Sequence, residues 1–260
     1  MMTRPATLRS IAVSLAAFVI AVPAVAQDGG APSAPAAPEA PPAPAQAPAP
    51  TPAPTGTVFV RISTSKGDML LELDAVKAPI SVDNFMKYVK GGFYDGTVVH
   101  RIVPGFVVQG GGFDQAMVQK QTNPAIKNEW RNGLKNGRGT ISMARLPSPD
   151  TATSQFFLNL KDNPALDGAN GPGYAVFGKI VVGLDVLDAM GAAPTTSKEV
   201  TDQAGRKQVF SDVPMEAIVL TKATELDAAA AAAMIEAAKS KPAAPAAPAA
   251  PAGDMPSQAK

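Results

Sequence analysis

The sequence has 260 residues, a formal net charge of +1 and no cysteine. A chain this close to neutrality shows no electrostatic sign of a nucleic-acid partner or an acidic substrate. The lack of cysteine excludes disulfides, zinc–thiolate sites, thiol nucleophiles and a lipid anchor on an N-terminal cysteine.

The first 26 residues have the pattern of an export signal. Arg4 and Arg9 precede the apolar stretch Ile11–Ile20, and Ala24-Val25-Ala26 is a small-x-small cleavage pattern. The apolar stretch is shorter than the ~20 residues of a membrane-spanning helix. We therefore predict cleavage after Ala26, no stable membrane span in the mature chain, and a periplasmic or otherwise exported bacterial protein. An uncleaved anchor is the alternative.

Proline content divides the rest of the chain. Residues 27–55 contain ten prolines, most of them beside alanine, and a second Ala-Pro segment covers 241–260. Such segments cannot build a core, so we predict a disordered linker and a disordered tail. Residues 56–223 have only nine prolines and form the predicted domain. An alanine-rich helix is predicted within 224–240.

Short apolar-rich segments typical of strands alternate with turns along this domain. The predicted strands are Val58–Ser63, Met69–Leu73, Thr97–Val103, Thr140–Ala144, Ser154–Asn159, Ala175–Ile180 and Glu216–Leu220. Helices are predicted at Pro79–Val89, with Ser81 as N-cap, and at Leu184–Met190. Many short strands with two helices favour a closed or nearly closed β structure.

The segment Phe93–Phe113 contains an unusual arginine. Strand alternation places Arg101 on one face with Val99 and Val103, and His100 on the other face. Burying a guanidinium without partners is costly. Both a functional arginine on an open face and an exposed arginine paired with an acid fit this pattern.

Other polar residues of the domain have plainer interpretations. His100 is the only histidine, has no accompanying nucleophile motif, and is predicted to be structural. Gly110–Gly112 lacks the lysine of a phosphate-binding loop and is predicted to distort a strand. Asp150, Asp162 and Asp167 are scattered along loops and do not form a metal-ligand pattern, so no metal site is expected.

Four motifs together resemble the cyclophilins, and more closely their periplasmic bacterial members. In chain order within 57–221 they read PISVDNFMKYV, FYDGTVVHRIVPGFVVQGGGF, SQFFLNL and GYAVFGK. The resemblance implies a mainly β fold, an eight-stranded antiparallel β-barrel closed at each end by a helix. It also implies peptidyl-prolyl cis-trans isomerase activity without a cofactor.

The resemblance assigns a role to residues of these motifs. Arg101 matches the catalytic arginine. Phe106 matches the aromatic floor of a proline pocket whose walls include Val107, Phe157 and Leu166. Val107 stands where methionine is frequent in the family.

Polar groups around the pocket are assigned in the same way. Gln109 matches a residue that helps hold the arginine, and Gln155 one that binds substrate backbone. Within Ala144–Leu146 (Ala144, Arg145, Leu146), the Arg145 carbonyl is expected to accept the substrate amide. Since strict alternation would separate Phe106 from Gln109, we infer that the Pro104-Gly105 turn and the glycines distort the strand.

Three positions depart from the eukaryotic pattern. Tyr174 stands where many eukaryotic members have histidine, and Arg145 where they have asparagine. Ala165 stands where they often carry tryptophan and bacterial members phenylalanine. Neither Arg145 nor Ala165 should abolish catalysis, because the first acts through its main chain and the second is peripheral.

Three functions are open at this point. The first is a monomeric isomerase acting on proline-containing exported polypeptides. The second is a chaperone module that binds proline peptides with little turnover. In the third, the Ala-Pro segments bind cell-envelope partners and the domain is a passenger. The arginine, Phe106, Gln109 and Phe157 favour the first, because a module without turnover would not need Arg101.

Overall fold

The computed structural model of the chain describes residues 56–169 and 171–240. The predicted signal, linker and tail, at 1–26, 27–55 and 241–260, lie outside these residues. Among the helices described, none is long and apolar enough to cross a membrane.

Within the described residues there are ten strands, and eight of them form a closed antiparallel barrel in the order β1-β10-β3-β4-β6-β5-β7-β2. The ten strands are β1 Thr57–Thr64, β2 Gly67–Asp74, β3 Thr97–Val103, β4 Val107–Phe113, β5 Thr140–Met143, β6 Phe156–Asn159, β7 Val176–Val182, β8 Thr195–Thr201, β9 Lys207–Pro214 and β10 Val219–Leu226. The eight-stranded antiparallel barrel is thus confirmed.

Three helices accompany the barrel: α1 Pro79–Lys90, α2 Leu184–Gly191 and α3 Ala228–Ser240. The apolar face of α1 and residues Leu187 and Met190 of α2 belong to the same buried cluster as the barrel interior. Because each of these two helices buries one face, its apolar residues recur with a period of about 3.6 residues in the sequence.

Strand β3 departs from the alternation predicted for it. Val99 pairs with Gly110 while Arg101 pairs with Gln109, so His100 is an extra residue in the ladder. The bulge turns Val99 into the core, away from the partly exposed Arg101. The prediction that Val99 and Arg101 share a face is therefore wrong.

The N-terminus of α1 is capped from a distance. Ser81 lies inside the helix, and the cap position is Ala78, which makes no side-chain cap hydrogen bond. The Glu129 carboxylate instead accepts hydrogen bonds from the backbone N–H groups of Ile80 (3.0 Å) and Ser81 (2.8 Å) and from the Ser81 hydroxyl (2.7 Å). The predicted Ser81 cap is wrong, because the carboxylate of Glu129, a residue distant in sequence, caps the first turn instead.

Strands β8 and β9 form a separate two-stranded ribbon that the sequence analysis does not predict. Their side chains are mostly polar and exposed, so they lack the apolar alternation of a half-buried strand. Val200 of β8 and Val213 of β9 pack with Val98 and Phe113 in a second apolar cluster. This cluster fixes the ribbon beside β3.

The last barrel strand runs further than the sequence suggests. Residues Glu216–Leu220 were predicted as a strand, whereas β10 spans Val219–Leu226 and pairs Leu226 with Phe59 of β1. Helix α3 follows, and its Ala231 is fully buried. The folded part of the chain therefore continues past residue 223.

Candidate active site

Two adjoining cavities open beside β3 and β4. The first, of about 250 Å³, is lined by nine residues: Arg101, Phe106, Val107, Gln109, Ala144, Arg145, Phe157, Leu166 and Tyr174. The second, of about 570 Å³, includes Leu146 and Gln155 in its lining. All residues that the sequence analysis assigned to the site thus line one cavity or both.

Three neighbouring strands carry the centre of the site. Arg101 on β3 lies opposite Gln109 on β4, and Gln109 lies opposite Phe157 on β6. Side chains opposite each other in adjacent strands lie on the same face of the sheet. The barrel therefore sets a cation, an amide and an aromatic ring in a row, although the three are distant in sequence.

Phe106 lies in the turn between β3 and β4 rather than in a strand. Its carbonyl oxygen accepts hydrogen bonds from the backbone N–H of Leu160 (2.9 Å) and the side-chain amide of Asn163 (3.1 Å). Strand alternation therefore does not apply to Phe106, which is how it lines the first cavity together with Gln109.

The glycines after Gln109 provide the expected strand distortion. Val98 pairs with Phe113 and the next residue, Val99, with Gly110, which leaves Gly111 and Gly112 as extra residues in β4. Gly111 has φ +81°, and a Cβ on Gly112 would lie 2.5 Å from Cγ of Gln155. Glycine at position 112 thus leaves the space that the Gln155 side chain occupies.

The far wall of the first cavity is aromatic and apolar. The rings of Phe157 and Tyr174 meet edge to face with centroids 5.5 Å apart. Leu166 lies in a short 3-10 helix, Pro164–Asp167, and its carbonyl oxygen accepts the Tyr174 backbone N–H (2.9 Å). Ala165 in the same turn is exposed and lines neither cavity.

The two glutamines of the site bind each other. Nε2 of Gln109 donates to Oε1 of Gln155 at 3.0 Å. Among the described residues, the Gln109 side chain makes no hydrogen bond to the Arg101 side chain, although the two residues are partners in the ladder. The Gln109 amide therefore orients Gln155 rather than the guanidinium.

Arg145 joins the two loops at the rim shared by the cavities. Its guanidinium donates to the carbonyl oxygens of Gly173 (3.2 Å), Leu146 and Pro147 (both 2.9 Å) and also to that of Pro172. It lies 4.5 Å over the Tyr174 ring. These contacts use most of its donors, so the Arg145 side chain holds the two loops of the rim together.

An acidic residue beside Arg101 was not predicted from the sequence. Oδ2 of Asp212 on β9 lies 4.0 Å from Nε of Arg101, and both side chains are about two-fifths exposed. The pairing of an exposed arginine with an acid, one of the two interpretations open from sequence, is thus present together with the cavity. No pattern in the sequence indicates this contact, because β9 lacks the apolar alternation of a half-buried strand.

His100 is almost completely buried beside the arginine. Burial lowers its pKa from 6.5 to about 4, and the positive charge of Arg101 acts in the same direction. Its Nδ1 has no hydrogen-bond partner among the described residues, and its ring lies 4.7 Å from that of Phe113. A neutral histidine is thus packed on the outer side of the barrel wall.

The arrangement offers electrostatic rather than covalent chemistry. Within residues 56–169 and 171–240, no three histidine, aspartate or glutamate side chains form a group that could hold a metal ion. The first cavity combines an apolar floor and walls with two arginines, of which Arg145 donates to backbone carbonyl oxygens of the rim. It can enclose a small apolar ring and present a charged donor to an atom of that ring.

Known proteins are similar to this chain in sequence. A profile of the family described as "Cyclophilin type peptidyl-prolyl cis-trans isomerase/CLD" matches residues 59–223. Peptidyl-prolyl cis-trans isomerase A of Dickeya dadantii (strain 3937) is 51% identical over 170 residues, covering 65% of this chain and 85% of that protein. Isomerase B of Escherichia coli (strain K12) is 42% identical over 169 residues, covering 64% and 98%.

A solved structure of the same family is similar to this chain in fold. A cyclophilin type peptidyl-prolyl cis-trans isomerase of Cryptosporidium parvum, crystallised in the presence of the dipeptide Ala-Pro, aligns with a TM-score of 0.52 and 27% identity. The alignment covers 65% of this chain and 99% of that one. By profile, sequence and barrel topology, this chain belongs to the family of cyclophilin-type peptidyl-prolyl cis-trans isomerases.

Proposed function

We propose that this isomerase acts on Xaa-Pro bonds of exported polypeptides and that Arg101 supplies the catalysis. The observation that carries the proposal is the Arg101 guanidinium at the edge of an apolar cavity with Phe106, Phe157 and Leu166 in its lining. The other arginine of this lining, Arg145, donates to backbone carbonyl oxygens of the rim. The relative solved in the presence of Ala-Pro supports a proline-containing peptide as the ligand.

The proposed mechanism follows from the electronic structure of the amide. The C–N bond resists rotation by ~18–20 kcal/mol because nitrogen shares its lone pair with the carbonyl. In the twisted transition state the lone pair localises on the proline nitrogen. A guanidinium donor aimed at this nitrogen therefore binds the twisted state better than either planar state.

The size of the required effect is modest. Uncatalysed exchange takes ~10–100 s, and a ten-thousand-fold acceleration needs a barrier lower by about 5.5 kcal/mol. A charged hydrogen bond in a partly dry site and the immobilisation of the peptide together supply energies of this order. No nucleophile, proton transfer or metal takes part.

Replacement of the arginine tests the mechanism. We expect Arg101→Ala to lose at least about 99% of turnover with an unchanged circular dichroism spectrum, since the donor acts only in the twisted state. Arg101→Lys should restore little, because a point charge on a flexible stem lacks the planar fork. The measurement is a protease-free isomerisation assay on a short Xaa-Pro peptide.

The control is Arg131→Ala, which removes the same charge outside both cavities. It should keep wild-type turnover. Near-wild-type turnover of a folded Arg101→Ala variant would contradict the mechanism. Retained peptide binding without turnover in the wild-type protein would favour the chaperone module.

The exported context rests on the N-terminal sequence and has its own test. When the full chain is expressed in a Gram-negative host, we expect the protein in the periplasmic fraction with Gln27 as its first residue. Replacing Arg4 and Arg9 by glutamate should reduce export. A cytoplasmic protein that keeps Met1 or Met2 would contradict this part of the proposal.

A further inference from the structure

The Arg101 guanidinium has one charged neighbour that could fix its direction. Among residues 56–169 and 171–240, Asp212 is the only carboxylate within 4.0 Å of it. The described residues supply no hydrogen-bond acceptor to the Arg101 side chain, and the Gln109 amide is engaged by Gln155. Apart from packing contacts, Asp212 is therefore the described group that can orient the Arg101 guanidinium.

The backbone at Asp212 is unusual. Its φ is +64°, and only one other non-glycine residue of the described chain, Met117, has a positive φ. Thr196 pairs with Val213 and Lys198 with Phe210, so Ser211 and Asp212 together lie opposite Ser197. This is a β-bulge, a device that redirects a side chain at the cost of local ladder hydrogen bonds.

The strand that carries the bulge is held firmly against the catalytic strand. Strand β9 contacts β3 directly. Val213, next to Asp212, is buried with Val98 and Phe113. An acid placed on this strand is therefore presented to Arg101 from a fixed position rather than from a loose loop.

We propose that Asp212 is a positioning residue for Arg101, an inference that rests on the catalytic role proposed for that arginine. The carboxylate lies on the Nε side of the guanidinium. An acid beside Nε leaves the donors at the outer end of the guanidinium, between the two Nη groups, available to the substrate. Holding Nε thus selects the rotamer in which the donors face the first cavity.

Three variants separate this role from a structural one. Asp212→Asn keeps the shape and tolerates the left-handed backbone, but loses the charge. Asp212→Gly removes the side chain and relaxes the backbone. Glu199→Gln, in the neighbouring strand of the ribbon, removes a carboxylate whose ion-pair partner is Lys207 rather than Arg101.

NMR exchange measurements on an Ala-Pro peptide, with KM and kcat determined separately, give the readout. We expect Asp212→Asn and Asp212→Gly to lower kcat about fivefold, the upper range for an exposed ion pair, with KM unchanged. Their melting temperatures should equal or exceed that of the wild type, and Glu199→Gln should match the wild type. In an Arg101→Ala background, Asp212→Asn should change nothing further.

Wild-type kcat in both Asp212 variants would overturn the inference. So would a loss of kcat that follows the loss of melting temperature, or a full additional loss in the Arg101→Ala background. These outcomes are distinct from failure of the proposed function, which is recognised by an active Arg101→Ala protein irrespective of any change at Asp212.

Discussion

At the scale of single residues, His100 shows how the barrel wall controls charge beside Arg101. It is buried against Phe113 and held neutral, because protonation would place a second cation next to Arg101 without solvent. Protonation of His100 therefore costs free energy in the folded protein but not in the unfolded chain, so the folded state loses stability at low pH.

The sign and size of this cost can be predicted. The pKa of His100 is about 4 in the folded state, below the ordinary 6.5, so the unfolded state binds more protons between these values. Stability should be full above pH 6.5 and fall as the pH decreases towards 4, by about 2 kcal/mol at pH 5. The measurement is urea unfolding at pH 7 and pH 5.

The matched variant is His100→Phe, which cannot titrate and retains an aromatic ring beside Phe113. The other titrating groups remain in both proteins, so the difference between them isolates the histidine. Between pH 7 and 5 the wild type should lose about 2 kcal/mol more than the variant. Equal losses would show that the histidine is protonated in the folded protein.

At the scale of elements, the start of α1 depends on a residue outside the helix. Glu129 satisfies two of the free N–H groups of the first turn and places a negative charge at the positive end of the helix dipole. This contact also ties the segment before β5 to the helix. One carboxylate thus couples a helix to a loop that has no regular structure of its own.

Loss of this cap should be measurable. We expect Glu129→Ala to lower the free energy of unfolding by about 2 kcal/mol, and Glu129→Gln by about 1 kcal/mol because one acceptor oxygen remains. Glu236→Ala on α3 removes an exposed ion pair with Lys239 and should cost less than about 0.5 kcal/mol. Chemical denaturation measures these free energies of unfolding. Equal stabilities of Glu129→Ala and the wild type would refute the stabilising role of the Glu129 cap.

At the scale of the whole molecule, closure of the barrel depends on residues beyond 223. Thr224, Glu225 and Leu226 pair with Arg61, Val60 and Phe59 of β1. Helix α3 then packs on the barrel, with Ala231 fully buried. A chain that ends at 223 would lack both contacts.

Shortened chains test this boundary. Removal of 27–55 and 241–260 from the mature chain should leave the melting temperature and peptide turnover unchanged, since Ala-Pro segments offer no core-forming side chains. A 56–223 fragment should be about 3 kcal/mol less stable than 56–240, or about 10 °C lower in melting temperature. Identical melting of the two fragments would mean that α3 and the end of β10 contribute nothing.

The sequence by itself determined the elements that bury a regular face and the residues that lie in contiguous motifs. Helices α1 and α2 were predicted within a residue or two because their apolar periodicity is a local property, and strand β3 because its run of β-branched residues is local too. Most of the residues assigned to the site were found for a related reason. Seven of them lie in the quoted motifs, namely Arg101, Phe106, Val107, Gln109, Gln155, Phe157 and Tyr174.

The tertiary structure alone decided the contacts between elements that are distant in sequence. The bulge at His100 separates Val99 from Arg101, because Val99, His100 and Arg101 of β3 lie opposite only Gly110 and Gln109 of β4. Glu129 reaches α1 only in the folded chain. Asp212 lies beside Arg101 on strand β9. This strand belongs to a polar ribbon that no periodic pattern in the sequence predicts. Such contacts depend on which strands become neighbours, and no local pattern encodes that information.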